Sequence, residues 1–322
     1  MVDAERDDER TRGALRAAQM YYMQDLTMEA IARELHTSRS TVSRLLSHAR
    51  QSGLVDIQIR SPFDATSHTE RDLSARYGVA VHLVPTPPDV SDVDRLERVA
   101  LTAARILARF IDSNMTLGIA WGSTVSAISR HLAAKDTHNV TVVQMNGAGS
   151  YLTTGIDVTS EILRRFGEAY GAKVQHFPVP AFFDDPATKD AVWRERSTRR
   201  VLDIQSRMDV ALFGLGSPFA EVPSQVYIGG YLDDGDFASL DRDEVVGDVA
   251  TVFYRVDGSW QDIELNQRAT GPAFDELRRV ARRVCVVAGE QKLPSLRGAL
   301  NARLITDLVI DEGSARRLLA TP

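Results

Sequence analysis

The segment between residues 38 and 48 concentrates side chains that can bind phosphates and base edges. Its seven candidate residues carry hydroxyl, guanidinium or imidazole groups: Ser38, Arg39, Ser40, Thr41, Ser43, Arg44 and His48. Such groups form hydrogen bonds to phosphate oxygens and to the edges of bases in the major groove. From Ser38 to Gln51 there are three Arg and no acidic residue. The segment therefore predicts contact with DNA.

Two short helices would position these side chains. Apolar spacing predicts a first helix over residues 28–35, with Thr27 as its N-cap, and a second helix that starts at Ser38. Because only His36 and Thr37 separate the helices, they must cross at a sharp angle, as in a helix-turn-helix unit. The side chains expected to face inward are Ile31, Ala32, Leu35, Val42, Leu45, Leu46 and Ala49.

The turn and the segment after the second helix extend this prediction. His36 stands where such turns often have Gly, and His tolerates a left-handed backbone better than most residues. Residues 54–60 alternate like a short strand, as the wing of a winged helix would. The alternative is an ordinary helical hairpin with a solvated basic face. The apolar positions, the tight turn and the acid-free second helix favour DNA binding over that alternative.

A second group of candidate residues follows apolar strands in the larger part of the chain. Residues 117–121 run directly into Gly122, Ser123 and Thr124, which open a helix. Gly allows close approach of the backbone, the hydroxyls donate hydrogen bonds, and a helix N-terminus favours an anion. This arrangement suits a phosphate. A Ser-Thr pair at a helix start is equally a good cap, so the motif alone leaves both interpretations open.

Further candidates occupy similar positions after other strands. Asp248 offers a carboxylate that could accept hydrogen bonds from sugar hydroxyls, although it could also be an ordinary turn residue. Lys292 could pair with a phosphate or form an imine with a carbonyl, or it could be a solvated Lys at a helix start. Short Gly-rich segments at other strand ends could be tight turns or ligand contacts: Gly147, Ala148 and Gly149, and then Gly214 and Gly216.

The elements that would carry these residues alternate along the chain. Apolar runs predict strands at 79–84, 117–121, 140–145, 174–178, 210–215, 249–254, 284–288 and 308–310. Helices are predicted before residue 79, at 92–111, and near 123–134, 158–170, 187–207, 273–283, 291–300 and 312–320. Apolar strands separated by amphipathic helices imply an α/β fold, with a mostly parallel sheet covered on both faces. Ligands of such Rossmann-like sheets bind beyond the carboxyl ends of the strands.

Composition limits the classes of function. The chain has 322 residues, of which 43% are hydrophobic, and a net charge of −6. A helix-turn-helix unit needs only about 60 residues, so the remainder can form one large or two small domains. The negative charge argues against a general polyanion binder, and any DNA binding must come from a local basic surface.

Cysteine usage and hydropathy exclude other classes. The single Cys285 lies in an apolar run and is expected to be a buried small hydrophobe, so no disulfide framework forms within one chain. His and carboxylate residues show no metal-ligand spacing, and we expect no metal and no cofactor. Because no apolar run approaches the length of a membrane span, we expect a soluble cytoplasmic protein without a membrane partner.

Several short motifs together resemble one family. They are Ser38–Leu46 with Gly53, Trp121–Thr124, Val142–Met145 with Gly147, Asp209–Gly216, Val246–Asp248, Asn266 and Arg268 with Gly271, Ala288–Gly289 with Lys292, and Leu304–Asp307. In this combination, from about residue 14 to near the end, the chain resembles the SorC family of sugar-responsive transcriptional regulators.

The resemblance implies a domain organisation and a ligand class. It implies a winged helix-turn-helix domain, over 13–60, and an effector and oligomerisation domain, over 68–322. The residues themselves predict a disordered tail over 1–12 and a linker over 61–67 between the two domains. The effector domain is expected to resemble sugar-phosphate isomerases and to bind a sugar, a sugar phosphate or a polyol. Family members bind operator DNA as homodimers or homotetramers.

The resemblance also gives roles to the candidate residues. Gly122, Ser123 and Thr124 would hold a phosphate, and Asp248 would bind ligand hydroxyls. Lys292 would bind a phosphate or a carbonyl. The pocket would further be lined by Gly147, Ala148, Gly149, Gly214 and Gly216.

Three positions depart from the family pattern. Glu290 replaces a second Gly, and an acid beside a phosphate is unfavourable unless it points away. Arg255 follows Phe253 and Tyr254 where the family often has Asp after an aromatic pair. Residues 301–303 replace a Gly-rich turn. These departures are compatible with an effector other than a standard sugar phosphate.

The sequence therefore predicts a ligand-responsive transcriptional regulator with no catalytic role, in which an oligomer interface couples the effector to DNA binding. One alternative is a sugar-phosphate isomerase or deaminase with an appended helix-turn-helix, which would use Asp248 and Lys292 as its acid/base pair. Another is a helix-turn-helix that makes only protein contacts.

Overall fold

The structure, a computed structural model, describes residues 2–55, 66–218 and 224–321 and divides the chain into two compact units. The first unit is Met1–Phe63 and the second is Asp64–Pro322. Their division falls within the interval predicted as a linker, 61–67. The wing strand predicted at 54–60 and most of this linker lie outside the described residues, so both stay predictions.

Three helices form the described part of the first unit: α1 (Val2–Tyr22), α2 (Met28–Glu34) and α3 (Arg39–Gln51). Helix α1 contradicts the predicted disordered tail over 1–12, because it already begins at Val2. Glu and Arg, which are frequent in this segment, are good helix formers. The three helices enclose a small core made of Ala14, Ala17, Ala18, Met20, Ile31, Ala32, Val42, Leu46 and Ala49.

The second unit is built on a seven-stranded sheet. Its strands are β1 (Ala80–Val84), β2 (Thr116–Ile119), β3 (Thr141–Gln144), β4 (Lys173–Gln175), β5 (Val210–Gly214), β8 (Arg282–Val287) and β9 (Asp307–Asp311). All neighbours pair in parallel, in the order β1-β9-β8-β5-β2-β3-β4. The predicted parallel α/β architecture is therefore confirmed. From β2 the chain proceeds outward to β3 and β4 and then crosses to β5, so the β2–β5 boundary is the topological switch point.

Helices cover both faces of this sheet. They are α4 (Thr66–Tyr77), α5 (Asp92–Phe110), α6 (Ser123–Arg130), α7 (Ile156–Ala169), α8 (Pro186–Trp193), α9 (Arg196–Gln205), α10 (Gln225–Ile228), α11 (Asp234–Arg242), α12 (Phe274–Leu277), α13 (Leu293–Asn301) and α14 (Glu312–Ala320). Separate apolar cores lie on the two faces. Cys285 of β8 is fully buried in one of them, as predicted.

The predicted strand at 249–254 is wrong. This run instead forms an antiparallel hairpin outside the main sheet, made of β6 (Val245–Val249) and β7 (Val252–Arg255). Its two turn residues, Ala250 and Thr251, have φ of +48° and +72°. Tight hairpin turns need positive φ at both central positions, which Gly and Asn usually supply. Because neither residue occurs there, the apolar pattern hid the turn.

Two predicted helices also differ in the structure. The stretch 187–207 is broken into α8 and α9, and 273–283 contains only the short α12 before β8 begins at Arg282. Helices α10 and α11 were not predicted, although Asp233 and Asp236 form a capping box at the start of α11. None of the helices in the described stretches is long and apolar enough to cross a membrane.

Candidate functional site

Side-chain caps hold the N-termini of both α2 and α3. The backbone N–H of Ala30 donates to Thr27 Oγ1 at 3.2 Å, and the N–H of Thr41 donates to Ser38 Oγ at 3.1 Å. His36 has a φ of +50°, the left-handed conformation expected for the turn. The helix-turn-helix geometry therefore arises from local capping and one strained residue.

The predicted DNA-contacting residues lie together on α3 and its N-cap, here called the α3 surface. Five of the seven are exposed, and Thr41 and His48 are half-buried. Ser38 Oγ lies 2.8 Å from Ser40 Oγ, and Arg44 Nη2 donates to Thr41 Oγ1 at 3.3 Å. Arg39 Nε lies 2.9 Å from Glu29 Oε1 on α2. The α3 surface thus presents Arg and hydroxyl groups that already have short-range partners.

A cavity opens at the switch point of the sheet, beyond the carboxyl ends of β2 and β5. We call it the inner cavity. It has a volume of about 50 Å³. Among the predicted ligand residues, it is lined by Gly122, Ser123, Thr124, Gly214, Gly216, Asp248 and Lys292. The structure therefore brings together seven candidates from four separate segments of the sequence.

Helix α6 points its N-terminus into this cavity. Its N-cap, Gly122, has a φ of +139° and provides no side-chain hydrogen bond to the first turn. Ser123 is exposed and Thr124 is buried. A Cβ at Gly214 would come within 3.0 Å of Thr124, so Gly214 allows β5 to approach α6 closely. The uncapped helix start supplies donors for an electronegative ligand atom.

Asp248 is the buried acid of the inner cavity. It lies on β6, and its backbone N–H and carbonyl pair with those of Gly216. Asp248 Oδ2 accepts a hydrogen bond from Thr251 N–H at 3.1 Å, which holds the strained hairpin turn. Within the described residues, Asp248 Oδ1 is buried and has no partner in hydrogen-bond geometry, although the buried Tyr227 hydroxyl, itself without a partner there, is close enough to interact with this carboxyl. Burial raises the pKa of this carboxyl from its ordinary 3.8 to about 6, although Thr251, Tyr227 and Lys292 favour the charged form.

Lys292 supplies a basic group to the same cavity. Its Nζ donates to the carbonyl of Leu215 at 3.2 Å. Burial lowers the pKa of this amine, and the nearby Asp248 opposes the shift. Glu290 does not compete with it, because that side chain is exposed and its Oε2 lies 3.9 Å from Arg317 Nε. The departure from the family pattern at this position therefore points away from the cavity.

The Gly-rich segment after β3 has a mixed outcome. Gly147 does not line the inner cavity, and a Cβ there would lie 2.1 Å from the carbonyl oxygen of Pro180. Its Gly character is therefore explained by packing. Ala148 lines a neighbouring cavity of about 260 Å³, which we call the aromatic cavity. Gly149 lines a third cavity further along the same edge, which we call the loop cavity.

Sequence reasoning missed several residues of this region. Asn146 is buried and lines the inner cavity, and its Oδ1 has no hydrogen-bond partner within the described part of the chain. In the aromatic cavity, the rings of Trp121 and Tyr231 lie 5.2 Å apart. Their polar atoms are anchored, because Trp121 Nε1 donates to the carbonyl of Gly147 and the Tyr231 hydroxyl to that of Ala148. Asn146 could have been identified as a polar residue just beyond the end of β3, whereas no local sequence pattern indicated Tyr231.

Metal ligands are not part of this arrangement. Over the described stretches of the chain, no group of three or more His, Cys, Asp or Glu side chains could hold a metal ion. The site combines donors, one buried carboxylate, one amine and two aromatic rings, which is the chemistry of a polyhydroxylated ligand.

Comparison with known proteins agrees with both parts of this geometry. Residues 61–320 match the family described as "Putative sugar-binding domain", and residues 9–52 match region 4 of sigma-70. The deoxyribonucleoside regulator of Bacillus subtilis is 29% identical over 316 residues, covering 97% of this chain and 99% of that protein. The sorbitol operon regulator of Klebsiella pneumoniae is 25% identical over 309 residues, covering 95% and 96%.

Solved structures give the same result. A domain of a possible sugar-binding transcriptional regulator from Arthrobacter aurescens TC1 has 53% sequence identity and a TM-score of 0.75, covering 81% of this chain and 100% of that domain. The full-length sorbitol operon regulator SorC from Klebsiella pneumoniae has 24% identity and a TM-score of 0.79, covering 96% and 98%, and shows the shared fold.

The fold and the cavity define a helix-turn-helix protein with a sugar-binding α/β domain. The chain belongs to the SorC family of sugar-binding transcriptional regulators.

Proposed function

We propose that this protein regulates transcription in response to a small carbohydrate that binds in the inner cavity and controls operator affinity. The observation that carries this proposal is the convergence of Asp248, Lys292 and the uncapped start of α6 on one cavity, with a buried Asp248 oxygen that has no hydrogen-bond partner among the described residues. A buried acceptor without a partner costs free energy unless a ligand supplies a donor. Sugars and polyols supply hydroxyl donors.

The α3 surface would be the output of this sensor. Its Arg and hydroxyl groups suit phosphates and base edges, while the whole chain carries a charge of −6. One copy should therefore bind DNA weakly, and we propose that a homodimer or homotetramer binds operator DNA in the cytoplasm. An effector that prefers one quaternary arrangement would change half-site spacing and hence affinity.

The test is effector-dependent binding to the DNA upstream of the protein's own gene. Fluorescence anisotropy is measured with and without a panel of sugars, polyols and their phosphate esters. The double variant Ser123→Ala/Lys292→Ala should lose the response to the effector and keep its basal DNA affinity. Retained response in that variant would contradict the assignment of the cavity.

An enzymatic role is the alternative, and one observation favours it. Asp248 has a raised pKa and Lys292 a lowered one, and opposed shifts of this kind also occur in acid/base pairs. The relatives named above are regulators, and we propose that the pair binds rather than reacts. Turnover of any phosphate ester in the panel by the pure protein would reverse this choice.

A further inference from the structure

The three cavities at the edge of the sheet adjoin one another, and together we call them the path. The inner and aromatic cavities share Trp121, Gly122, Ser123 and Gln225, and the aromatic and loop cavities share Thr153 and Tyr231. The inner cavity is the smallest of the three, so a ligand that reaches Asp248 has further room on the side of the aromatic rings.

The charged side chains along this path are mostly acidic. Among the described residues that line the three cavities, Lys292 is the only basic side chain, whereas Asp184, Asp185 and Asp248 are acidic. Residues 219–223, outside the described stretches, read Phe-Ala-Glu-Val-Pro and contain neither Lys nor Arg. Lys292 also interacts electrostatically with Asp248, which offsets part of its charge.

A phosphate ester fits this charge pattern poorly. A dianion carries only acceptors, and in a partly buried site it needs cations or several charge-assisted donors to replace its water. Here it would have one amine, which already donates to Leu215, and the backbone donors at the start of α6. The same site holds a carboxylate that would repel it over a short, poorly screened distance.

Neutral hydroxyl groups fit better. Asp248 and Asn146 both line the inner cavity, and each has a buried side-chain oxygen without a hydrogen-bond partner among the described residues, so a ligand with hydroxyl donors suits them. The adjoining rings of Trp121 and Tyr231 offer apolar faces against which the C–H groups of a carbohydrate can pack. A ligand with hydroxyl donors at one end and C–H groups to pack against the rings at the other is an uncharged sugar or polyol.

We infer that the effector of this protein is an unphosphorylated sugar or polyol, held between the Asp248–Lys292 end and the Trp121–Tyr231 end of the path. This inference rests on the proposed function, because it concerns the ligand of the same site. It differs from the expectation from the family resemblance, in which Gly122, Ser123 and Lys292 contact a phosphate.

The experiment compares matched pairs by isothermal titration of the full chain. Each titration is run at two NaCl concentrations. The pairs are D-sorbitol with its 6-phosphate, D-ribose with its 5-phosphate, and further free sugars and polyols with their phosphate esters. The free member of the binding pair should have a Kd at least about tenfold lower than its ester, because the ester adds uncompensated charge. Its Kd should stay constant between about 50 and 500 mM NaCl, since a neutral ligand is not screened.

The outcomes separate this inference from the proposed function. An ester that binds more tightly than its free partner overturns the inference and leaves the proposed function standing. Absence of binding by both halves of the panel contradicts the proposed function itself and the inference with it. Inorganic phosphate should give no thermal stabilisation beyond that of NaCl at equal ionic strength, and stabilisation by phosphate that is lost in Lys292→Met would also overturn the inference.

A gain of charge tests the same argument. Ser126 of α6 lines the aromatic cavity, and Ser126→Lys would add a second cation to the path. The variant should reduce the disadvantage of the ester several-fold. Thr102→Lys on α5, outside the three cavities, is the charge-matched control and should leave the ratio of the two Kd values unchanged. An unchanged ratio in Ser126→Lys as well would contradict the charge argument.

Discussion

The α3 surface and the inner cavity differ in how their polar groups are satisfied. On α3, Ser38, Thr41 and Arg44 bond to one another, and Arg39 pairs with Glu29. In the cavity, Asp248 and Asn146 each have a buried oxygen for which residues 2–55, 66–218 and 224–321 provide no hydrogen-bond partner. An exposed surface can exchange its partners for phosphates at little cost, whereas buried orphaned acceptors cost free energy until a ligand arrives. The first arrangement suits binding to a long polymer, and the second suits a small ligand with matching donors.

The largest expected effect comes from filling the space beside Asp248. A Cβ at Gly216 would lie 1.7 Å from Asp248 Oδ1, so Gly216→Ala must displace the carboxylate. We expect loss of effector binding and a decrease of about 1–3 kcal/mol in unfolding free energy. Calorimetric titration and urea unfolding measure both. Gly214→Ala, whose Cβ would meet Thr124 at 3.0 Å, is the milder control. If Gly216→Ala still binds the effector, Asp248 does not contribute to the binding site.

The buried carboxylate should also make stability depend on pH. The pKa of Asp248 is raised from 3.8 to about 6 in the folded state. The contribution of this carboxyl group to the free energy of unfolding is therefore fully present below about pH 4, where the group is protonated, and is lost as the pH rises through 6. Asp248→Asn removes this loss and should be more stable than wild type at pH 8 by on the order of 2–3 kcal/mol, with little difference at pH 4.

Urea unfolding at several pH values checks this trend. Asp185 is a matched control of opposite sign, because its carboxylate caps α8 and hydrogen bonds from Thr188 lower its pKa. Asp185→Asn should lose stability at neutral pH and approach wild type as the pH falls. A pH-independent difference for Asp248→Asn would mean that its carboxylate is not destabilised by burial.

On the α3 surface, Arg44→Ala should weaken operator binding by about 1–3 kcal/mol, or roughly tenfold or more, because it removes one Arg contact. Effector binding measured by titration should be unchanged. Arg207, which lies outside both sites, provides a charge-matched control as Arg207→Ala. Unchanged operator affinity in Arg44→Ala would show that α3 is not the recognition helix.

The smallest effect concerns the ion pair between α2 and α3. Glu29→Gln releases Arg39, and both side chains are more than half exposed, so the pair contributes less than about 1 kcal/mol. Operator affinity should increase about two- to threefold at low salt, and the gain should disappear at high salt. A loss of affinity would mean that Glu29 positions Arg39 for DNA.

The two sites also differ in how far they could be predicted from the sequence. The helix-turn-helix is contiguous, and its caps, apolar positions and His36 are all local signals. Asp248 and Thr124 were identified because each follows or opens an element with a readable pattern. The contact of Gly216 with Asp248 and the neighbourhood of Tyr231 depend on packing between distant segments. Gly147 illustrates the limit, because close packing on Pro180 and close approach to a ligand both require a residue without a Cβ.

The hairpin shows a second limit. Ala250 and Thr251 adopt positive φ although neither favours it, and for a β-branched residue this is a strained conformation. Local preference predicted a continuous strand there. The hydrogen bond from Thr251 N–H to Asp248 Oδ2 helps to hold the turn, so tertiary structure overrode the pattern.

The burial of Cys285 has a practical consequence for measuring how the two units communicate. It is the single cysteine of the chain, it is fully buried, and burial raises the pKa of its thiol well above the ordinary value. Thiol reagents react with exposed thiolates, so the native protein should behave toward maleimide dyes as a cysteine-free background. A cysteine introduced at an exposed position such as Ser43 or Thr154 would then carry the only fluorophore, and its signal would report on that unit alone.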